Sequence, residues 1–132
     1  MDKALNAGGP LEWTNIFQLP DLAGANWERF REGIEIHRLY ESGDGPSAAL
    51  LRYAPGASLQ RHIHRGHEHI LVLRGSQIDD AGEHSAGTLL VYMAGSSHAI
   101  TSPGGCVVLI IWERPVAFVP VQKLEEVAIE IP

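Results

Sequence analysis

The chain is a succession of short apolar runs cut by turn residues. "IEIHRLY" (34–40), "AALLRYA" (48–54), "HILVLRG" (69–75), "TLLVYMA" (88–94) and "CVVLIIWE" (106–113) are rich in β-branched, aliphatic and aromatic residues. Between them stand "SGDGPS" (42–47), Pro55-Gly56 and "GSSHAITSPGG" (95–105), whose glycine, proline and serine favour turns. "SQIDDAGEHSAG" (76–87) reads as a turn-bearing hairpin. No segment sustains a helical period beyond about ten residues. Many short strands at this spacing predict an antiparallel sandwich or barrel, all-β and a single domain.

The ends are less patterned. "MDKALNAGGP" reads as a loose tail, and Trp13, Ile16, Phe17 and Leu19 as an opening strand or short turn. "GANWERFREG" (24–33) predicts one helical turn stopped by Gly33. "VQKLEEVAIEIP" (121–132) fits a last strand or a short helix equally well. The expected organisation is an N-terminal extension over 1–33 and a barrel over 34–132.

Composition narrows the class. A chain of 132 residues with 45% hydrophobic content is the size of one folded core. Its longest apolar runs are far too short to span a membrane, and the N-terminus carries no signal-peptide core. With one cysteine, Cys106, no internal disulfide forms, and a reducing cytoplasm is the expected compartment. The formal charge of −6, without a basic block, argues against nonspecific nucleic-acid binding. It leaves room for a small anionic ligand near Arg52, Arg61, Arg65 and Arg74, which fit a solvated rim equally well.

Chemistry concentrates in "RHIHRGHEHI" (61–70), which holds four of the seven histidines beside a glutamate. On a strand, His62 and His64 point the same way. Glu68 follows a tight turn containing Gly66 and shares its parity with Ile70 and Val72, so it faces the interior. Two imidazoles and a carboxylate on one rigid wall suit a divalent metal. His98, after "GSS" at the end of another apolar run, is the natural fourth donor if its loop returns to the same barrel mouth. His67 and His69 have the opposite parity and are assigned to solvent or to support of the ligands. His37 and His84 stand alone and read as structural or surface residues.

These residues also match a known pattern. Gly56, His62, His64, Glu68 and Gly75 fit the first motif of the cupin superfamily at every spacing, and Gly87, Gly95 and His98 fit the second. Met93 stands where that motif usually has proline, and Ser102 where it usually has asparagine. The first motif spans 56–75 and the second 87–102. The resemblance implies an RmlC-like cupin, a double-stranded β-helix or jelly-roll barrel. It implies one divalent metal held by His62, His64, Glu68 and His98, with Fe2+, Zn2+, Ni2+ and Mn2+ all occurring in the family.

The stretch 67–113 also resembles the cupin part of ChrR-type anti-sigma factors. Those proteins grip the sigma factor with a separate N-terminal helical zinc domain. No such domain is expected ahead of residue 48, so anti-sigma activity is not carried over. Some free-standing cupins of similar form are described as small dioxygenases, acetylacetone-cleaving ones among them.

Two functions follow as expectations. One is a bacterial metal-dependent enzyme of dioxygenase type, its small-molecule ligand held by a lining from Val72, Leu90, Tyr92, Ile110 and Trp112. The other is a non-catalytic sensor that binds metal and ligand, in which Cys106 at the barrel mouth is either a small buried hydrophobe or an oxidant-responsive thiol. A homodimer is expected from the family and from the need to cover strand edges.

Overall fold

The alternation in the sequence becomes strands of alternating burial in the computed structural model, which describes residues 9–18 and 24–120. The strands are β1 (Glu28–Arg31), β2 (Ile34–Tyr40), β3 (Ser47–Tyr53), β4 (Ala57–Ile63), β5 (Glu68–Asp79), β6 (Gly82–Ser85), β7 (Leu89–Tyr92), β8 (Ser97–Ser102), β9 (Cys106–Trp112) and β10 (Ala117–Phe118). Among the described residues there is no helix. The segment 121–132, Leu19 and the first eight residues lie outside them.

All pairings are antiparallel, and the strand order β1-β2-β3-β9-β5-β8-β4-β10, with β6 and β7 also on β5, curls the sheet into a jelly-roll barrel. One wall, β1-β2-β3-β9-β5-β7, turns Ile34, Ile36, Leu51, Val72, Val108 and Ile110 inward. The facing wall is built from the second half of β5 with β6, β8, β4 and β10. Leu50, Leu73 and Val107 form a second cluster, capped by Ile16, Ala25 and Trp27.

β5 belongs to both walls, and its corner is Gly75. Its φ of 71° is favourable for glycine alone, and a Cβ there would stand 2.2 Å from the Gly105 carbonyl oxygen. The pairing register with β9 shifts between Val72 and Arg74, just before this corner.

The helical turn expected over 24–33 is not present. Glu28–Arg31 is a strand, paired with β2 through Glu28–Ile36 and Arg29–Glu35, and Gly33 (φ 74°) makes the hairpin turn between them. A good local helix former yields here to strand pairing that tucks Phe30 against the core. The opening segment at residues 14–18 is a turn, not a strand.

Candidate metal centre

The first two histidines come from the end of β4. His62 lies on the strand, and His64 sits one residue beyond it, held by backbone bonds to Ser96 O (2.8 Å) and from Gly95 N (2.7 Å). Gly95 adopts a φ of 91° at this junction, and Met93 stands two residues before it in the position where the motif usually has proline. Ser102, in the asparagine position, is fully buried and donates to Ser76 O at 2.7 Å. Glu68 opens β5 between Tyr92 of β7 and Trp112 of β9. His98 corrects the expectation of a loop residue: it lies on β8, in register with His62 of β4. Strand pairing therefore sets its position.

His62, His64, Glu68 and His98 are all buried, and one donor atom from each lies within 4.8 Å of the others. The imidazole centroids stand 4.6–5.1 Å apart. Each ring is turned by a partner at Nδ1. His62 Nδ1 contacts Gln60 O at 3.0 Å, so Nδ1 carries the proton and donates. Ser96 gives its hydroxyl hydrogen to Met93 O, leaving its oxygen to accept from His64 Nδ1 at 2.9 Å. The Asp79 carboxylate accepts from His98 Nδ1 at 3.1 Å. Three outward Nδ1–H groups leave three Nε2 lone pairs facing inward, the form that binds metal.

The interior is thus lined by acceptors. Glu68 Oε1 lies 3.2 Å from His64 Nε2 and 3.6 Å from His98 Nε2. Both Glu68 oxygens and those two nitrogens are buried without a hydrogen-bond partner. Buried acceptors facing one another repel unless positive charge sits between them. Three imidazole nitrogens and a carboxylate are a donor set that a divalent ion satisfies, so the residues fit a metal.

Burial pushes His62 down to about 4, which keeps it neutral. Burial alone would raise Glu68; in the metal-free form that carries a proton on a facing Nε2, hydrogen bonds from the adjacent imidazoles outweigh it and lower the carboxyl to about 2. Burial works against charge on His98 as well, yet Glu68 and Asp79 outweigh it and raise its pKa. Without metal, His98 takes a proton more readily than His62.

The network around Asp79 carries no signal in the sequence motifs. Asp79, read there as part of a hairpin, is buried and also accepts from the Tyr92 hydroxyl, from His84 Nε2 at 2.9 Å and from Ala81 N at 2.9 Å. Its parity is opposite to that of Glu68, Ile70 and Val72, and it faces inward because the register shift between Val72 and Arg74 exchanges the two faces of β5. His84 is therefore tied to the site through Asp79. His67 and His69 are exposed, and His67 Nδ1 accepts from Ala94 N at 3.0 Å. His37 is structural: its ring packs against Trp13 and Trp27, and Asn26 N donates to its Nδ1.

Of the expected lining, Val72 and Ile110 belong to the closed core, while Trp112 borders a cavity of about 380 Å³ with Phe30, Arg38, Ser47, Val116 and Phe118. Arg52, Arg61 and Arg65 are ion-paired to Glu35, Asp80 and Asp44. Cys106 is not at the mouth. It pairs with Gly75 at the other end of β9 from Trp112, buried in the core, and burial raises its thiol pKa. That favours the reading of a small hydrophobe.

The family model described as the ChrR Cupin-like domain matches residues 17–117. The chain belongs to this cupin family. No curated protein sequence matches it. Among solved structures, this cupin is similar to a protein of unknown function with a cupin-like fold from Ralstonia eutropha JMP134 (22% identity, TM-score 0.63, 68% of this chain and 60% of that one). It is similar to an acetylacetone dioxygenase from Acinetobacter johnsonii (20%, TM-score 0.69, 74% of each chain). It is also similar to a chain of the Rhodobacter sphaeroides complex of SigE with the anti-sigma ChrR (26%, TM-score 0.59, 65% of this chain and 47% of that one). The cupin thus spans less than two thirds of the first and third of these chains.

Proposed function

We propose that this cupin is a small metal-dependent enzyme of dioxygenase type acting on a small molecule. The observation that carries the proposal is the set of three inward Nε2 lone pairs and an unpartnered buried carboxylate. His62, His64, His98 and Glu68 would hold one divalent ion, Fe2+ or Zn2+ first, with Ni2+ and Mn2+ compatible with the same donors. Iron(II) bound there would supply open positions for a substrate and O2.

The chain's own residues orient the substrate and exclude water. The Phe118 ring lies 5.6 Å from that of His62, and Trp112 is the strand neighbour of Glu68. Both border the 380 Å³ cavity, so these two residues stand between a molecule held there and the metal ligands. Its aromatic wall suits an apolar body, and Arg38, now 2.9 Å from Glu41, offers charge to an enolate or carboxylate. The exposed row Leu89, Val91 and Met93 on and just past β7 supports a homodimer. Sedimentation would report that dimer as twice the 14.4 kDa chain.

A second reading, a non-catalytic metal- and ligand-binding sensor, is favoured by the family match itself. The test is O2 uptake by protein loaded anaerobically with iron(II), across a panel of β-diketones and small aromatic acids. Uptake that requires both iron and one panel member supports the enzyme. Tight zinc in the purified protein, with no uptake by the iron form, contradicts it and supports the sensor.

A further inference from the structure

We infer that Asp79 is a positioning residue of the metal centre: it sets the tautomer of His98 and supplies the second buried negative charge that the metal site needs. The inference rests on the metal-binding reading above. Its ground is that the three imidazoles are not held alike. His62 leans on a backbone carbonyl and His64 on a serine hydroxyl, both uncharged. His98 alone leans on a carboxylate, whose side chain is 0% exposed.

Four donors converge on that carboxylate, and among the described residues it has no acceptor partner. Oδ1 accepts from Ala81 N and His84 Nε2, and Oδ2 from Tyr92 Oη and His98 Nδ1. An acceptor-only group suits this place, and a neutral amide does not. The orientation is enforced by packing too. The Tyr92 ring lies 4.3 Å from the His98 ring and 5.2 Å from that of His64, so one residue fixes Asp79 and both imidazoles.

The charges also match. Glu68 and Asp79 are the two buried carboxylates of the centre, and together they offset a divalent ion in an interior where an unbalanced charge is costly. A carboxylate behind a metal-bound imidazole raises its basicity and fixes its ring, and its loss typically costs about 10–100-fold in metal affinity. Serine and carbonyl partners supply the geometry without that charge.

The experiment is a competition titration of the full chain with zinc against a chromophoric chelator, together with the absorption bands of the cobalt(II)-substituted protein. Wild type is compared with Asp79→Asn, Tyr92→Phe and Ser96→Ala. Asp79→Asn weakens zinc about 10–100-fold and shifts the cobalt bands, Tyr92→Phe weakens it by less, and Ser96→Ala by least. The melting temperature of each chelator-treated variant separates metal affinity from fold stability. Should Asp79→Asn lower that temperature yet leave zinc affinity and the cobalt bands unchanged, Asp79 is merely structural and the inference fails, while the metal site stands. Should wild type bind neither metal, the inference and the reading beneath it fail together.

Discussion

The two walls of the barrel share one strand but carry opposite chemistry. The wall of β2, β3, β9 and the first half of β5 turns Ile34, Ile36, Leu51, Val72 and Val108 inward, all at most 1% exposed. The facing wall of β4, β8 and the second half of β5 turns in His62, His98, Gln77, Asp79 and Ser102, relieved by Leu59 and Ile100. The first wall needs only volume. The second must also place polar groups, and its imidazoles are each matched on the outer side and left open on the inner. Stability and chemistry are thus assigned to different walls of one interior, with Glu68 crossing over: it stands on the apolar wall and reaches toward the polar one.

The sharpest way to break the contrast is to neutralise that crossing residue. Glu68→Gln keeps the volume and removes the charge, and metal affinity should fall on the order of 1,000-fold, about 4 kcal/mol, in the same chelator titration. The fold should survive it. Next comes the corner at which β5 changes walls. Gly75→Ala forces a left-handed conformation and a contact with the Gly105 carbonyl, and should cost about 3 kcal/mol in urea unfolding of the metal-free protein. On the apolar wall, Val72→Ala should cost about 2 kcal/mol in the same assay while leaving metal affinity unchanged, because it opens a cavity and removes no metal donor. A matching loss of metal there would deny that the walls are independent.

The smallest effect is a pH dependence. His62 has its pKa lowered by burial to about 4 from an ordinary 6.5, so between those values the unfolded chain binds the proton and the folded one does not. Stability of the metal-free protein should therefore decline as pH falls through that window. His98, raised instead, gains on acidification and opposes it. The His62 contribution to that loss from pH 7 to pH 5 should be on the order of 1 kcal/mol. His62→Asn should remove or reverse it, and an unchanged slope would contradict the assignment of His62 as the buried neutral ligand.

The apolar wall was legible in the sequence because its strands are continuous hydrophobic runs: "IEIHRLY" coincides with β2. The polar wall was legible only through its motif. "ASLQRHI" of β4 buries little beyond Leu59 and His62, so composition gave no strand there, and histidine spacing alone marked it. "ERFR" of β1 was misread because its pairing with β2 is tertiary information. Asp79 was not visible because its contact with His98 spans 19 residues and is made by register between strands. Spacing finds groups that meet within a turn or along one strand. It does not find the partner that holds a ligand from behind.

The central claim is that the polar wall is a metal site. The direct measurement is elemental analysis of protein purified without chelators and without oxygen, beside His62→Ala/His98→Ala as control. The account predicts about one divalent ion per chain in wild type and a near-complete loss in the double variant. Absence of metal from the wild-type protein, or equal metal in both, would contradict it.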